Sequence, residues 1–277
     1  MSEGPLLLST FFMHLRFWEV DLLRGIAVVL MVVYHLAFDL DYLQVYSIDV
    51  QSGLPLAVAR LTLSLFLLLV GLSLRLSRSQ AARRSGISGQ DDGYFTHLAG
   101  RTLFILALAL GVSAVTYLFL GKCFIAFGVL HLIGLSLLLT YPFLGMGRLN
   151  FLWGTLIIIA GLYLPSLAVD HLWLLWLGLT PPDFCSVDYT PLIPWFGVVL
   201  VGAAFGDLLY PGSVRRARLP DWQNAAPAGM LAWLGRHSLA VYLIHQPALL
   251  VLLSLLGVRL PWHLSEGLFL LGCIPLP

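Results

Sequence analysis

The stretch VDLLRGIAVVLMVVYHLAFDL, Val20 to Leu40, is apolar and long enough to cross a bilayer, yet it carries Asp21, Arg24, His35 and Asp39. On a helix turning 100° per residue, Asp21 and Asp39 fall on one line, with Arg24 and His35 within about 60° of it. The ionisable groups therefore form a single stripe. A charged side chain at the bilayer centre costs about 2.5 kcal/mol or more, so such a stripe faces a bundle interior or a wet cavity and marks a functional site.

The rest of the chain agrees with a membrane protein. Of its 277 residues, 59% are hydrophobic and 10% are charged, against roughly 25% charged in an ordinary soluble domain. A net charge of +1 with no basic run argues against a nucleic-acid partner. Cys123, Cys185 and Cys273 are far apart and include no CxxC, so neither a zinc site nor a disulfide framework is expected. The opening MSEGPLLLSTFF lacks the positive start of a signal peptide, and residues 5–18 read as an interfacial segment anchored by Arg16 and Trp18.

Apolar runs of spanning length lie near 20–40, 54–74, 98–120, 123–142, 151–169, 190–210 and 229–256. HLWLLWLGL at 171–179 and the tail at 264–273 are too short and read as re-entrant or interfacial pieces. The expected fold is an all-α polytopic bundle of seven to nine transmembrane or re-entrant helices, one domain covering 1–277. Arg75, Arg78, Arg83 and Arg84 follow the second run, and Arg215, Arg216 and Arg218 follow the sixth. By the positive-inside rule these segments and the N-terminus are cytoplasmic. Loops 41–53 and 170–188, with Asp but no Lys or Arg, then lie outside; Lys122 and Arg259 are exceptions. Residues 77–93, rich in Ser, Gly, Arg and Gln, read as a cytoplasmic loop.

His35 follows Arg24 by eleven residues, roughly 16 Å along the axis. Asp39, at i+4 from His35, could accept the imidazole N–H and raise the ring's basicity, as a general base requires. The plainer alternatives are a structural histidine and a solvated aspartate at a helix end. In FTHLAGRTLF, His97 and Arg101 sit one turn apart near the cytoplasmic face. With Arg24 they could bind phosphates bidentately, or serve only as positive-inside flanks. Arg60 could snorkel or pair with an acid. His131, within FGVLHLIGLS, is either an interhelical hydrogen bond or a substrate contact. LGRHSLAVYLIHQP opens with Arg236 and His237 and carries Tyr242, His245 and Gln246 deeper; His245 could supply a second acid or base, hydrogen-bond the acceptor, or serve only as polar packing. DYTPLIPWFG, Asp188 to Gly197, could hold a polar acceptor with Trp195 as stacking platform, or anchor aromatics at the interface. Gly202 and Gly206 form a small-xxx-small pair suited to close helix packing. No metal-ligand motif is present.

RGIAVVLMVVYH, FLLLVGLSL, FGVLHLIGLS, DYTPLIPWFGVVLVGAAFG and LGRHSLAVYLIHQP, in that order over residues 16–255, resemble bacterial proteins related to the catalytic domain of heparan-alpha-glucosaminide N-acetyltransferase. The first is also similar to the opening helix of acyltransferase-3 membrane enzymes, with Arg, ten intervening residues, then His, matched here by Arg24 and His35. The resemblance implies a multi-pass enzyme of the bacterial inner membrane. It would take an acyl group, usually acetyl, from cytoplasmic acyl-CoA and deliver it to a hydroxyl or amine at the outer face. The acceptor implied is a glycan or lipid-linked sugar. His35 would be catalytic, aided by Asp39; Arg24 and Arg101 would hold the donor; His131, Asp188, Trp195, His245 and Gln246 would line the acceptor side. Membrane lipid is the surroundings, and a homodimer is one admissible assembly. Three alternatives stay open on the residues: a proton-coupled transporter using the intramembrane His and Asp, a haem protein with His131 and His245 as axial ligands, and an inactive relative serving in assembly.

Overall fold

The computed structural model describes residues 17–85, 93–164, 167, 169–217, 220, 222 and 225–258. The 5–16 part of the expected interfacial segment, the 264–273 tail, Arg218, Arg259 and Cys273 lie outside them. The helices are α1 (Trp18–Tyr42), α2 (Gly53–Ser85), α3 (Tyr94–Leu120), α4 (Val129–Thr140), α5 (Leu149–Tyr163), α6 (Leu192–Leu209), α7 (Ala226–Arg236) and α8 (Ser238–Leu255). No strand occurs among the described residues, and the chain is an all-α bundle.

Among the described residues, five helices are long and apolar enough to cross a membrane: α1, α2, α3 with the turn after it, α6 and α8. The spans expected at 123–142 and 151–169 are shorter, with 12 residues in α4 and 15 in α5. At 1.5 Å per residue they reach about 18 and 22 Å, against roughly 30 Å of hydrocarbon. α4 starts late because the chain leaves α3 at Gly121 with φ +58°, which favours glycine, and then runs irregularly to Gly128. The seventh span is two helices, broken at His237. Residues 171–179 contain a 3-10 turn, Leu172–Leu177.

The loop expected at 77–93 is corrected in its first half, because α2 continues through Ser85. Tertiary anchors hold the extension: Arg75 Nε donates to Asp207 at 2.5 Å, and Arg83 Nη1 to the Gly212 carbonyl at 2.8 Å.

α6 is the centre of the bundle, packed on α2 and α5, with Val199, Leu200, Ala203 and Ala204 fully buried. Glycine lets its backbone meet that of α2: a Cβ on Gly202 would lie 2.1 Å from Leu68 O, and one on Gly71 1.9 Å from Val199 O. Gly202 thus does what its spacing predicted. The same device joins α1 to α7. There a Cβ on Gly25 would lie 1.9 Å from Leu231 O and one on Gly235 1.8 Å from Asp21 O. Much of α3 faces outward, with Leu103, Phe104, Leu110 and Leu118 exposed.

The expectation of no disulfide framework is corrected: Cys123 and Cys185 form a disulfide across 62 residues. Two loops meet there. The Val187 and Thr190 N–H groups donate to the Cys123 and Phe127 carbonyls at 3.1 and 2.9 Å, and Ser186 Oγ donates to the Phe124 carbonyl at 2.9 Å. Both loops belong to the end that the arginine distribution assigns to the outside, the oxidising side where disulfides persist.

Candidate active site

α1 and α8 pack together and bring His35 beside His245, ring centroids 4.7 Å apart and planes at 82°. Each imidazole is oriented by its own helix. His35 Nδ1 lies 2.8 Å from the Met31 carbonyl, and His245 Nδ1 2.7 Å from that of Tyr242. A carbonyl only accepts, so Nδ1 carries the hydrogen in both rings and Nε2 presents a lone pair. His245 is 9% exposed and its Nε2 has no partner. Two neutral imidazoles with open basic nitrogens thus face one another inside the membrane domain.

Asp39 is not the partner of His35. The expected i+4 bond is replaced on both sides: the ring turns back to Met31, and Asp39 Oδ1 accepts from Gln246 Nε2 at 2.6 Å. This Asp39–Gln246 pair ties α1 to α8 beside the histidines. Asp39, 3% exposed, leaves Oδ2 unpartnered, and Gln246 leaves Oε1 unpartnered. With His245 Nε2, that makes three buried orphan atoms in one cluster, and all three are acceptors. Buried acceptors without donors are costly, and a group that brings O–H or N–H would satisfy them.

Toward the cytoplasmic end, Arg24 donates to Asp21 at 3.2 Å and to Ser73 Oγ at 2.7 Å. Arg101 lies exposed on α3, which packs on α4. His97 and Arg60 are also exposed. The three residues expected to hold an anion thus stand on two helices, Arg24 half-buried on α1 and His97 and Arg101 exposed on α3.

His131 and Asp188 meet at the start of α4. Gly128 N–H donates to His131 Nδ1 at 3.3 Å, and His131 Nε2 lies 3.4 Å from Ser113 Oγ, whose proton goes to the Ile125 carbonyl at 2.5 Å. Both ring nitrogens are engaged, which leaves none for haem iron. Asp188 accepts from Val129 N–H at 3.2 Å, Thr190 Oγ1 at 3.0 Å and, at the limit of hydrogen bonding, Tyr242 OH at 3.5 Å. It caps α4 from a distant loop, satisfying a first-turn N–H that the short helix cannot. Burial pushes its carboxyl above the ordinary value, opposed by the Val129 and Thr190 donors. Trp195 packs, half-buried, on the main core. Of the residues expected at the acceptor side, His245 and Gln246 meet His35 and Asp39, Asp188 reaches the same helix through Tyr242, His131 bonds Gly128 and Ser113, and Trp195 packs on the core.

Sequence reasoning missed the carbonyls of Met31 and Tyr242 and the hydroxyl of Ser73. A carbonyl leaves no signature in sequence, and Ser73 is one of several serines in its helix. Among the described residues no three His, Cys, Asp or Glu are grouped to hold a metal ion.

Fold and site together define a polytopic membrane protein with a buried histidine, His245, facing a half-buried one, His35, between two of its helices. The family described as heparan-alpha-glucosaminide N-acetyltransferase, catalytic, matches residues 16–247, and the chain belongs to that family of membrane acetyltransferases. No curated protein and no solved structure matches it.

Proposed function

We propose that this chain transfers an acetyl group from cytoplasmic acetyl-CoA to a hydroxyl or amine of a sugar acceptor at the outer face of the bacterial inner membrane. The observation that carries the reading is the His35–His245 pair, with both Nδ1–H groups held by backbone carbonyls and both Nε2 atoms left basic. Arg24, eleven residues toward the cytoplasmic end of α1, serves the donor side.

Two routes fit the pair. In one, His35 Nε2 takes the proton of the acceptor as it attacks the thioester carbonyl, and that proton leaves with the CoA thiolate. In the other, His35 Nε2 itself attacks, the C–S bond breaks to release the CoA thiolate, and an N-acetyl imidazolium forms. The acceptor then displaces the imidazole and gives its proton to His245 Nε2, from which it leaves with the thiolate. In both, the orphan acceptors of Asp39 and Gln246 receive donor groups of the acceptor and aim its nucleophilic atom.

The test is acetyl-CoA binding and turnover by detergent-purified protein, with free CoA followed by thiol detection, comparing wild type, His35→Ala and Arg24→Ala. Saturable turnover that requires His35 and weakens without Arg24 is expected. Full turnover in His35→Ala overturns the histidine assignment. Well-folded protein that ignores acetyl-CoA but takes up solutes into proteoliposomes returns the chain to the transporter class.

A further inference from the structure

At the end of the bundle assigned to the cytoplasm, three guanidinium groups gather round one phenol. Arg75, Arg78 and Arg101 all act electrostatically on Tyr94, and Arg78 lies over its ring, 5.3 Å from the centroid. Tyr94 is buried, and its hydroxyl donates to the Leu74 carbonyl at 3.3 Å. Arg75 is engaged by Asp207 and donates to Ser79 Oγ at 2.7 Å. Arg78 and Arg101 have neither an ion pair nor a hydrogen bond among the described residues. Among the described residues, then, two guanidinium groups on this side of the bundle have no hydrogen-bond or ion-pair partner, and one of them lies over a buried aromatic ring.

Their position points to the bilayer. Arg101 is seven residues into α3 from Tyr94, about 10 Å from the helix start, and its neighbours Leu103 and Phe104 are 71% and 58% exposed on the lipid-facing surface. That depth lies near the boundary between head groups and acyl chains. A guanidinium there needs an anion, and a phosphodiester matches its paired N–H groups. Gly93 offers α3 no capping side chain, so the positive end of the helix adds to the field on the same side.

We propose that Arg78 and Arg101, flanking Tyr94, bind the phosphate of an anionic phospholipid in the cytoplasmic leaflet. Arg78 is held by its ring contact and Arg101 closes on the phosphate from α3, so the lipid bridges α2 and α3. The site is independent of acetyl transfer and can be read without activity.

The test is native mass spectrometry of the full chain with phosphatidylglycerol or phosphatidylcholine added to the micelles. The variants are Arg78→Gln, Arg101→Gln, the double variant, and Arg148→Gln, which removes an exposed charge from the start of α5. Wild type is expected to retain phosphatidylglycerol in preference. Each single variant should weaken retention about 5-fold and the double about 25-fold, while Arg148→Gln matches wild type. Should the double variant fail to fold, Arg78→Lys with Arg101→Lys keeps the charge but loses the paired donors, and retention between wild type and the single glutamine variants is expected.

Four results would overturn the assignment. Equal loss in Arg148→Gln would mean that only diffuse positive charge matters. Retention unchanged in both double variants would put the lipid elsewhere. No preference in wild type would mean the arginines are matched within the chain, for which Asp91 and Asp92, outside the described residues, are the nearest acids in sequence. Displacement of phosphatidylglycerol by acetyl-CoA, with the same arginine dependence, would give the phosphate site to the acyl donor.

Discussion

His35 and His245 owe their readiness to two backbone carbonyls, which fix the tautomer before any substrate arrives. Replacing His35 with Ala should abolish transfer with the fold retained, and replacing His245 with Ala should lower turnover by roughly 10²-fold or more, the usual scale of a positioned acid or base. CoA release read beside thermal unfolding checks both, and unaltered turnover in His245→Ala would remove it from the chemistry. Gln246 acts differently, as the one donor to Asp39. Gln246→Leu leaves the Asp39 carboxyl buried with no donor and should cost about 1–3 kcal/mol, read as a lowered unfolding temperature. Asp39→Asn with Gln246→Leu should cost less than the sum of the two single changes. Much of this was legible at residue level. The polar stripe on α1 follows from its period, and His245 and Gln246 stand out in an apolar run. The joining of Asp39 to Gln246 was not legible, because it spans 207 positions and depends on how α1 crosses α8.

Helices here are set by where their backbones can touch. The α1–α7 crossing has glycine on both sides, so Gly235→Val would drive a side chain into the Asp21 carbonyl. It should destabilise by about 3 kcal/mol or more, shift Arg24 through its neighbour Asp21, and lower the yield of folded protein. Gly111→Ala on α3, with nothing within 4 Å of the added carbon, should unfold at the wild-type temperature or slightly above, since alanine suits a helix better. Comparable loss in both variants would refute close packing as the cause. Hydropathy located each crossing but not the helix ends. A run that stays apolar gives no sign of the break at His237 or of the late start of α4. The polar stretch after Arg75 conceals helix because its anchors, Asp207 and Gly212, lie more than a hundred residues away.

At the scale of the whole molecule, two of the loops at the end assigned to the outside are held together by one covalent bond and by Asp188. Burial raises the Asp188 carboxyl above its ordinary value, so between that value and the raised one the folded chain binds more protons than the unfolded chain. Stability should therefore fall as pH rises through this window, and Asp188→Asn should flatten the slope of unfolding temperature against pH. Replacing Cys123 and Cys185 with Ser should cost about 2–4 kcal/mol, seen as a lower unfolding temperature that added reductant does not lower further. The bond was illegible beforehand because cysteines in apolar surroundings carry no spacing signal, and only the pairing of the two loops brings them together. It also turns residues 123–185 into a closed loop containing α4 and α5, the two helices too short to cross a bilayer alone. A protease cut in the turn between those helices would therefore leave a nicked protein that runs as one band on a denaturing gel and separates into two pieces only after reduction.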